Sequence, residues 1–299
     1  MEQQSRKWIG KTGGGKIGQK CLLFLLKKIN VHFLYPVLFL IIPFYILFAR
    51  KNFNSIMKYF KNCYNMKSFR AFWNAYMNHI VFGQIVLDKF ALFAGNKSFL
   101  HTEVTNKKYL EKLTTENKGI IIASSHIGNF EAGGFILQTN ETPINSLIYG
   151  GESFELQNKR NKILKSVNIN PISVNPDMSH LFEIKKALEN NEIVTIQCDR
   201  IYGSTKTIKN NFMGYEASFP LAPFKLAVQL DVPMVALFMM KKSYKKYHAY
   251  VVPLEISDTV SNNSEKANQL ALSFINISEK ILQQYPRQWF NFYDFWETE

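Results

Sequence analysis

The chain has 299 residues, 46% of them hydrophobic, which is enough for one large domain with a substantial core. Its net charge of +13 is concentrated early: residues 1–70 hold thirteen Lys or Arg and one acidic residue, whereas residues 71–299 hold twenty-three and twenty-two. Three scattered cysteines exclude a disulfide framework and indicate a reducing compartment, and no histidine has metal-ligand spacing to them, so we expect no metal site.

The N-terminal segment surrounds an uncharged apolar stretch at 31–49 with basic residues. A basic arm can bind nucleic acid, but a basic segment built around an apolar one is typical of attachment to an anionic membrane surface. Because positive charges flank the stretch on both sides and Pro36 and Pro43 lie within it, we expect a monotopic or re-entrant anchor rather than a single span. We therefore predict a basic arm and anchor at 1–53, a catalytic domain at 54–299, and no nucleic-acid partner.

The rest of the chain shows first a helical and then an alternating pattern. The aromatic stripe at 54–93 has helical spacing, which is more typical of a core than of a ligand site. From residue 119, strands are predicted at 120–124, 144–149, 193–198, 234–240 and 247–254, and helices at 129–138, 154–167, 178–190, 221–230 and 264–284. This alternation predicts an α/β fold, with a mostly parallel sheet flanked by helices and an N-terminal membrane-associated helical segment.

The sequence SHIGNFE at 125–131 follows the first of these strands and opens the next helix. Functional groups of α/β folds collect where strands end, so His126 and Glu131 are expected at the mouth of the sheet. A neutral imidazole accepts a proton near pH 7, and a carboxylate bonded to its other nitrogen stabilises the imidazolium. The pair indicates a general base, His126, oriented by Glu131; the alternative is a loop histidine with a structural bond and a carboxylate at a helix start.

The nucleophile is expected to come from a substrate. The chain has no Gly-x-Ser-x-Gly elbow, so a serine hydrolase is disfavoured and acyl transfer without a covalent enzyme intermediate is favoured. The backbone N–H groups of Gly128 and Asn129, at the helix start, are the candidate substrate-binding donors for an oxyanion. Gly133 and Gly134 indicate either close approach of an acyl chain or tight packing of helix on sheet.

Further blocks extend the pattern towards the C-terminus. They are Asp199-Arg200 after the strand at 193–198, FMG at 212–214, FP at 219–220, PRQW at 286–289 and YDFW at 293–296. Together with the His-x4-Glu pair, this order resembles the late lipid A acyltransferase family, the lauroyl/myristoyl transferases of Gram-negative bacteria, over most of the chain. The start at residues 8–12 resembles members from the Bacteroidetes. Glycerol-phosphate acyltransferases carry a Phe-Pro-Glu-Gly-Thr-Arg block where this chain has FPLAP.

The resemblance implies roles for individual residues. His126 and Glu131 would be the catalytic pair, and Asp199 would be the family's acidic residue at the later strand end. The family also has a functional arginine between the histidine block and the later acidic residue. In this chain, Arg160 is the only arginine between His126 and Asp199. Asp199 would orient the substrate or a basic partner, or be a turn residue; Arg200 would bind phosphate or pair with a carboxylate.

The resemblance also implies an activity and a location. A membrane-bound acyltransferase at the cytoplasmic face of the inner membrane would move a fatty acyl chain from an acyl thioester to a lipid A precursor or related lipid, by O- or N-acylation, without cofactor or metal. The donor would be acyl carrier protein or CoA.

Charge and the catalytic pair bear on the donor and on the alternatives. The lysines at 241, 242, 245 and 246 would attract an acidic carrier, or form a solvated hairpin loop. The alternatives are another acceptor (amino-acid lipid, pigment or polyene) and a non-catalytic membrane-binding homologue, which the presence of the pair disfavours.

Overall fold

The computed structural model describes residues 26, 28–93, 95, 101–116, 118–136, 142–149, 161, 164, 168–174, 177–201, 206–257 and 259–296. Within these residues the helices are α1 (Tyr35–Phe48), α2 (Arg50–Cys63), α3 (Ser68–Phe93), α4 (Lys107–Thr115), α5 (Phe130–Ile136), α6 (His180–Glu189), α7 (Ala222–Gln229) and α8 (Asn263–Gln284). The strands are β1 (His101–Thr105), β2 (Ile120–Ser124), β3 (Ile144–Tyr149), β4 (Ile169–Val174), β5 (Ile193–Gln197), β6 (Thr207–Phe212), β7 (Tyr215–Pro220), β8 (Met234–Lys241) and β9 (Lys246–Leu254). The basic arm before residue 26 and most of the helix predicted at 154–167 lie outside the described residues.

Seven of the described strands form one sheet in the order β1-β9-β8-β2-β5-β3-β4, and β6 and β7 form a separate antiparallel hairpin. Strands β2, β3, β4, β5 and β8 are mutually parallel. Strand β9 pairs antiparallel with β8, and β1 runs parallel to β9 at the edge. The predicted α/β fold with a mostly parallel sheet is confirmed, and the carboxyl ends of the central strands β2 and β5 lie side by side.

Strand β2 is buried on both faces, which explains its uninterrupted apolar sequence. Ile120 and Ile122 belong to a core shared with α1, α3 and α5. Ile121 and Ala123 point the other way, into a core shared with α2, α7 and α8. The residues that follow this rigid strand are therefore fixed by packing on both sides of the sheet.

Helix α1 is apolar but mostly exposed. The stretch Val31–Phe48, which includes a 3-10 turn before α1, is long and apolar enough to cross a membrane by length and composition, and 22% of it is buried. The helix continues through Pro43. Tyr35, Leu38 and Ile42 face the core. The side chains of this stretch that are more than half exposed are Phe33, Leu40, Ile41, Phe44, Leu47 and Phe48.

Several elements are absent from the sequence-based prediction: β1, α4, β4 and the β6–β7 hairpin. Strand β1 lies at the sheet edge and alternates between exposed and half-buried residues, so it lacks the apolar run of an inner strand. The predicted domain boundary between residues 53 and 54 falls inside α2. Phe53 and Ile56 of this helix belong to the same core as Ile121 and Ala123, which we call the main core. Helix α2 therefore packs as part of the body that carries the sheet.

Candidate active site

The register of β2 and β5 brings His126 and Asp199 together. Ser124 pairs with Gln197 in the parallel ladder, and His126 and Asp199 each follow two residues later. The Asp199 carboxylate accepts a bond from the main-chain N–H of His126 at 2.7 Å and contacts its ring Nδ1 at 2.9 Å. One carboxylate thus holds both the loop and the imidazole, and an Nδ1–H donor leaves Nε2 as the proton acceptor.

The surroundings keep this carboxylate ionised. The side chain of Asp199 is 7% exposed and that of His126 is 15% exposed. Burial raises the pKa of the Asp199 carboxyl. The charge and hydrogen bonds of His126 and the charge of Arg200 lower this pKa by more than burial raises it, so it lies below its ordinary value. The edge of Phe130 packs against the imidazole, with ring centroids 5.4 Å apart. A buried anion beside a half-buried imidazole is suited to stabilise the imidazolium of a general base.

Glu131 does not occupy the place expected for it. Its carboxylate pairs with Lys89 of α3 at 2.6 Å, with side chains 35% and 24% exposed. Helix α5 begins at Phe130, so Glu131 lies in its first turn and points to α3, not back to the histidine loop. The orienting role that the sequence gives to Glu131 is therefore filled in the structure by Asp199.

Gly128 and Asn129 differ from the prediction as well. The Gly128 N–H donates to the Gln288 carbonyl at 2.8 Å, and the Asn129 N–H donates to the Met239 carbonyl at 2.7 Å. Both expected oxyanion donors are thus already used to attach the loop to its neighbours. The Asn129 side chain accepts from the Ala132 N–H at 3.2 Å and so caps the start of α5.

The segment after α8 closes over the histidine loop. The Phe290 N–H donates to the His126 carbonyl at 2.9 Å, and Ile127 forms an isolated bridge with Trp289. Trp289 is 2% exposed and packs in the main core. The histidine loop is therefore held between β8 on one side and this C-terminal segment on the other.

Of the two arginines predicted to bind substrate, Arg160 lies outside the described residues. The Arg200 guanidinium donates to the Phe290 carbonyl at 3.3 Å and lies 5.5 Å from the centre of the Tyr293 ring. Arg200 therefore links Asp199 to the C-terminal segment. The PRQW and YDFW blocks mark this segment in the sequence, but no local pattern indicates its contact with the histidine loop.

The two glycines of α5 serve tight packing. A Cβ on Gly133 would come 3.0 Å from Leu237 of β8, and one on Gly134 would come 3.0 Å from Ile169 of β4. Both distances are closer than ordinary side-chain contacts. Of the two interpretations open from the sequence, the structure supports close approach of helix to sheet.

Lys241 is wrongly predicted as part of an exposed basic cluster. Its side chain is 4% exposed and pairs with Asp88 of α3, which is 0% exposed, at 2.5 Å. Lys242 and Lys245 in the β8–β9 turn and Lys246 at the start of β9 are exposed, as expected for a solvated hairpin. Both residues adjoin another charged residue in the sequence, Asp88 beside Lys89 and Lys241 beside Lys242, so no local sequence signal marks the pair as buried.

Among the described residues, no group of three His, Cys, Asp or Glu side chains is arranged to hold a metal ion. The two described cysteines, Cys63 and Cys198, are free thiols.

Comparisons with known proteins identify the family to which the chain belongs. A family model described as bacterial lipid A biosynthesis acyltransferase matches residues 78–298, which include His126 and Asp199. A search of curated proteins found no match. Among solved structures, the crystal structure of the 1-acyl-sn-glycerophosphate (LPA) acyltransferase PlsC from Thermotoga maritima is similar, with 13% sequence identity and a TM-score of 0.39, over 88% of this chain and 97% of that one.

Proposed function

We propose that this chain, which belongs to the bacterial lipid A biosynthesis acyltransferase family, moves a fatty acyl group from an acyl thioester to a hydroxyl of a lipid A precursor or a related lipid. The observation that carries the proposal is the His126–Asp199 pair at the carboxyl ends of β2 and β5. An oriented, half-buried imidazole is suited to activate a substrate hydroxyl.

The reaction follows from the orientation of the ring. With Nδ1–H bonded to Asp199, the lone pair of His126 Nε2 takes the proton of the acceptor hydroxyl as its oxygen bonds to the thioester carbonyl carbon. Asp199 stabilises the imidazolium that forms. The tetrahedral intermediate then breaks its carbon–sulfur bond, and the imidazolium proton passes to the departing thiolate. The products are the acylated lipid and a free thiol, and the histidine returns to its neutral form.

The donor in this proposal is acyl carrier protein, with acyl-CoA as the competing thioester. Carrier proteins are acidic, and the β8–β9 turn carries exposed lysines close to the strand end that supports the histidine loop. Opposite charges steer such encounters and make them sensitive to salt.

The proposed location is the cytoplasmic face of the inner membrane. The exposed apolar side chains of α1 would enter the lipid, while the basic residues around them would meet anionic headgroups. A cysteine placed at Trp8 tests whether this attachment is monotopic. We expect no labelling by an impermeant thiol reagent from the periplasm; periplasmic labelling would mean that the segment spans the membrane.

The test of function is transfer by the purified protein. Wild-type protein in detergent, acyl carrier protein loaded with a fatty acid and a lipid A precursor should give a lipid heavier by one acyl chain in mass spectrometry. His126→Ala should reduce the rate by about 10²- to 10⁴-fold without early melting. Full activity of His126→Ala would contradict the proposed mechanism, and absence of transfer by well-folded wild type to this and related lipids would favour a non-catalytic role.

A further inference from the structure

A buried polar cluster joins four elements next to the histidine loop. The Lys241 ammonium donates to Asp88 at 2.5 Å and to the Tyr35 hydroxyl at 2.8 Å. The hydroxyls of Tyr35 and Tyr247 both donate to the Asp88 carboxylate. The ammonium also lies 4.6 Å and 4.9 Å from the centres of these two rings. Helices α1 and α3 and strands β8 and β9 therefore meet at one ion pair, which the proton-transfer step does not use.

The energetics of this pair favour a role other than simple stability. Removing two charges from water is costly, and replacing a buried ion pair by neutral groups of similar size is often neutral or stabilising. Burial lowers the pKa of Lys241, while the charge of Asp88 opposes this. A fully hydrogen-bonded ion pair fixes one geometry better than apolar side chains do, because each hydrogen bond is directional.

Two connections lead from the cluster to His126. Through the first, the Asn129 amide donates to the Tyr247 hydroxyl at 3.3 Å, and Asn129 is three residues after His126 in the loop that begins α5. Through the second, the Gln288 side chain accepts from the Lys241 N–H at 2.9 Å and donates to the Lys241 carbonyl at 2.7 Å. The Gln288 carbonyl then takes the Gly128 N–H. Both routes end within three residues of the imidazole.

We propose that Lys241 and Asp88 are positioning residues, which fix the histidine loop so that the His126 ring meets Asp199, and that Tyr35 ties the apolar helix α1 to the same point. The proposal rests on the proposed function only for its effect on turnover. The geometric effect on His126 is independent of the substrate. Neither residue touches the reacting atoms.

The experiment compares two double variants. Asp88→Asn/Lys241→Met removes both buried charges at once, so that no unpaired charge is left to unfold the protein. Lys209→Met/Glu216→Gln removes the exposed pair between β6 and β7, whose atoms are 3.0 Å apart, and is the matched control. Melting temperature, kcat and KM are measured with acyl carrier protein donor and lipid A precursor. The Nδ1 proton of His126 is followed by NMR in ¹⁵N-histidine-labelled protein and assigned with His126→Ala.

We expect the buried double variant to melt near wild type but to lose about 10²-fold in kcat, the cost of a displacement of about 1 Å, with KM little changed. Its His126 Nδ1 proton should broaden or shift as the bond to Asp199 loosens. The control should match wild type in all readouts. Tyr247→Phe, which keeps both charges but removes the link to Asn129, should show a smaller loss of the same kind.

Wild-type kcat and an unchanged Nδ1 resonance in the buried double variant would overturn the positioning role. If wild type itself transfers no acyl group, the proposed function fails, but the resonance still decides the inference. Its loss in the variant would support positioning, and its retention would overturn it.

Discussion

The carboxylate of Asp199 accepts hydrogen bonds from both the main-chain N–H and the ring Nδ1 of His126, at 2.7 Å and 2.9 Å, although the two residues are 73 positions apart in the chain. One bond fixes where the loop runs and the other fixes how the ring is turned. A single buried anion therefore couples the position of the His126 loop to the tautomer of its ring.

Asp199→Asn tests this coupling most directly. We expect activity to fall by about 10²- to 10⁴-fold, since an amide can present its N–H₂ to the ring and leave the wrong imidazole tautomer, and cannot stabilise the imidazolium. The measurement is acyl transfer beside the melting temperature, with His126→Ala as the reference. An Asp199→Asn protein that retains most of its turnover would show that the contact only shapes the loop.

The pH dependence of stability should carry the same signature. Because the folded-state pKa of Asp199 lies below its ordinary value of 3.8, its ionised form stabilises the native protein above about pH 4, and this contribution is lost as the pH falls through the lowered pKa. Melting temperatures of wild type and Asp199→Asn between pH 7 and pH 3 should converge at the acid end. A constant gap between them would contradict the shift.

Glu131→Gln should be milder than Asp199→Asn, because the Glu131 carboxylate pairs with Lys89 and not with the His126 ring. Both side chains are partly exposed, so loss of the pair should change the free energy of unfolding by less than about 1 kcal/mol. Lys89→Met is the matched variant and should behave alike in stability. If Glu131→Gln loses as much activity as Asp199→Asn, then Glu131 acts on the reaction in a way that the ion pair does not explain.

Gly128→Ala should displace the histidine loop. Gly128 has φ +71°, and a Cβ there would overlap the carbonyl oxygen of Met239. Gly214→Ala is the control, since φ is +92° but no atom lies within 4 Å of the added Cβ. Both variants should lose about 1–2 kcal/mol to the left-handed backbone, but only Gly128→Ala should also lose activity and melt still earlier. Equal melting temperatures for the two would argue against the close contact.

The exposed turn lysines should matter for one donor only. Lys245→Glu/Lys246→Glu should lower kcat/KM with acyl carrier protein and affect the rate with acyl-CoA less. The reason is that the acidic surface of a carrier protein is large enough to contact several of these lysines at once, whereas CoA is a small molecule. Wild-type transfer from the carrier should weaken steeply as salt rises from low to physiological strength. Equal use of both thioesters without salt dependence would count against the carrier.

Local pattern was sufficient for the inner part of the fold. Strands β2 and β3 were predicted with the same bounds as the structure has, and β5, β8 and β9 within one residue, because each is a mostly apolar segment with turn residues nearby. The amphipathic helix α8 was found in the same way. Edge strand β1 and the hairpin of β6 and β7 were missed because their exposed faces carry polar residues. Without an apolar run, these strands resemble loops in the sequence.

The site was predictable as a place but not as a set of contacts. His126 was identified from its position after a buried strand, and Asp199 from the resemblance to the acyltransferase family, whose acidic residue at the later strand end it matches. Their contact depends on β2 and β5 being adjacent and in register, which no local spacing encodes. The His-x4-Glu spacing instead suggested Glu131. In the structure, Glu131 pairs with Lys89 of α3, and this contact between distant residues is not visible in a local spacing.

The bonds from Gln288 and Phe290 to the histidine loop have a consequence for biosynthesis. A ribosome makes the apolar helix α1 early and these two residues long after His126. Under the proposed attachment through α1, a nascent chain reaches the lipid surface and forms most of its sheet while the His126 loop still lacks two of its main-chain anchors. In this proposal attachment precedes reactivity, and an unfinished chain at the membrane would lack the completed His126 site.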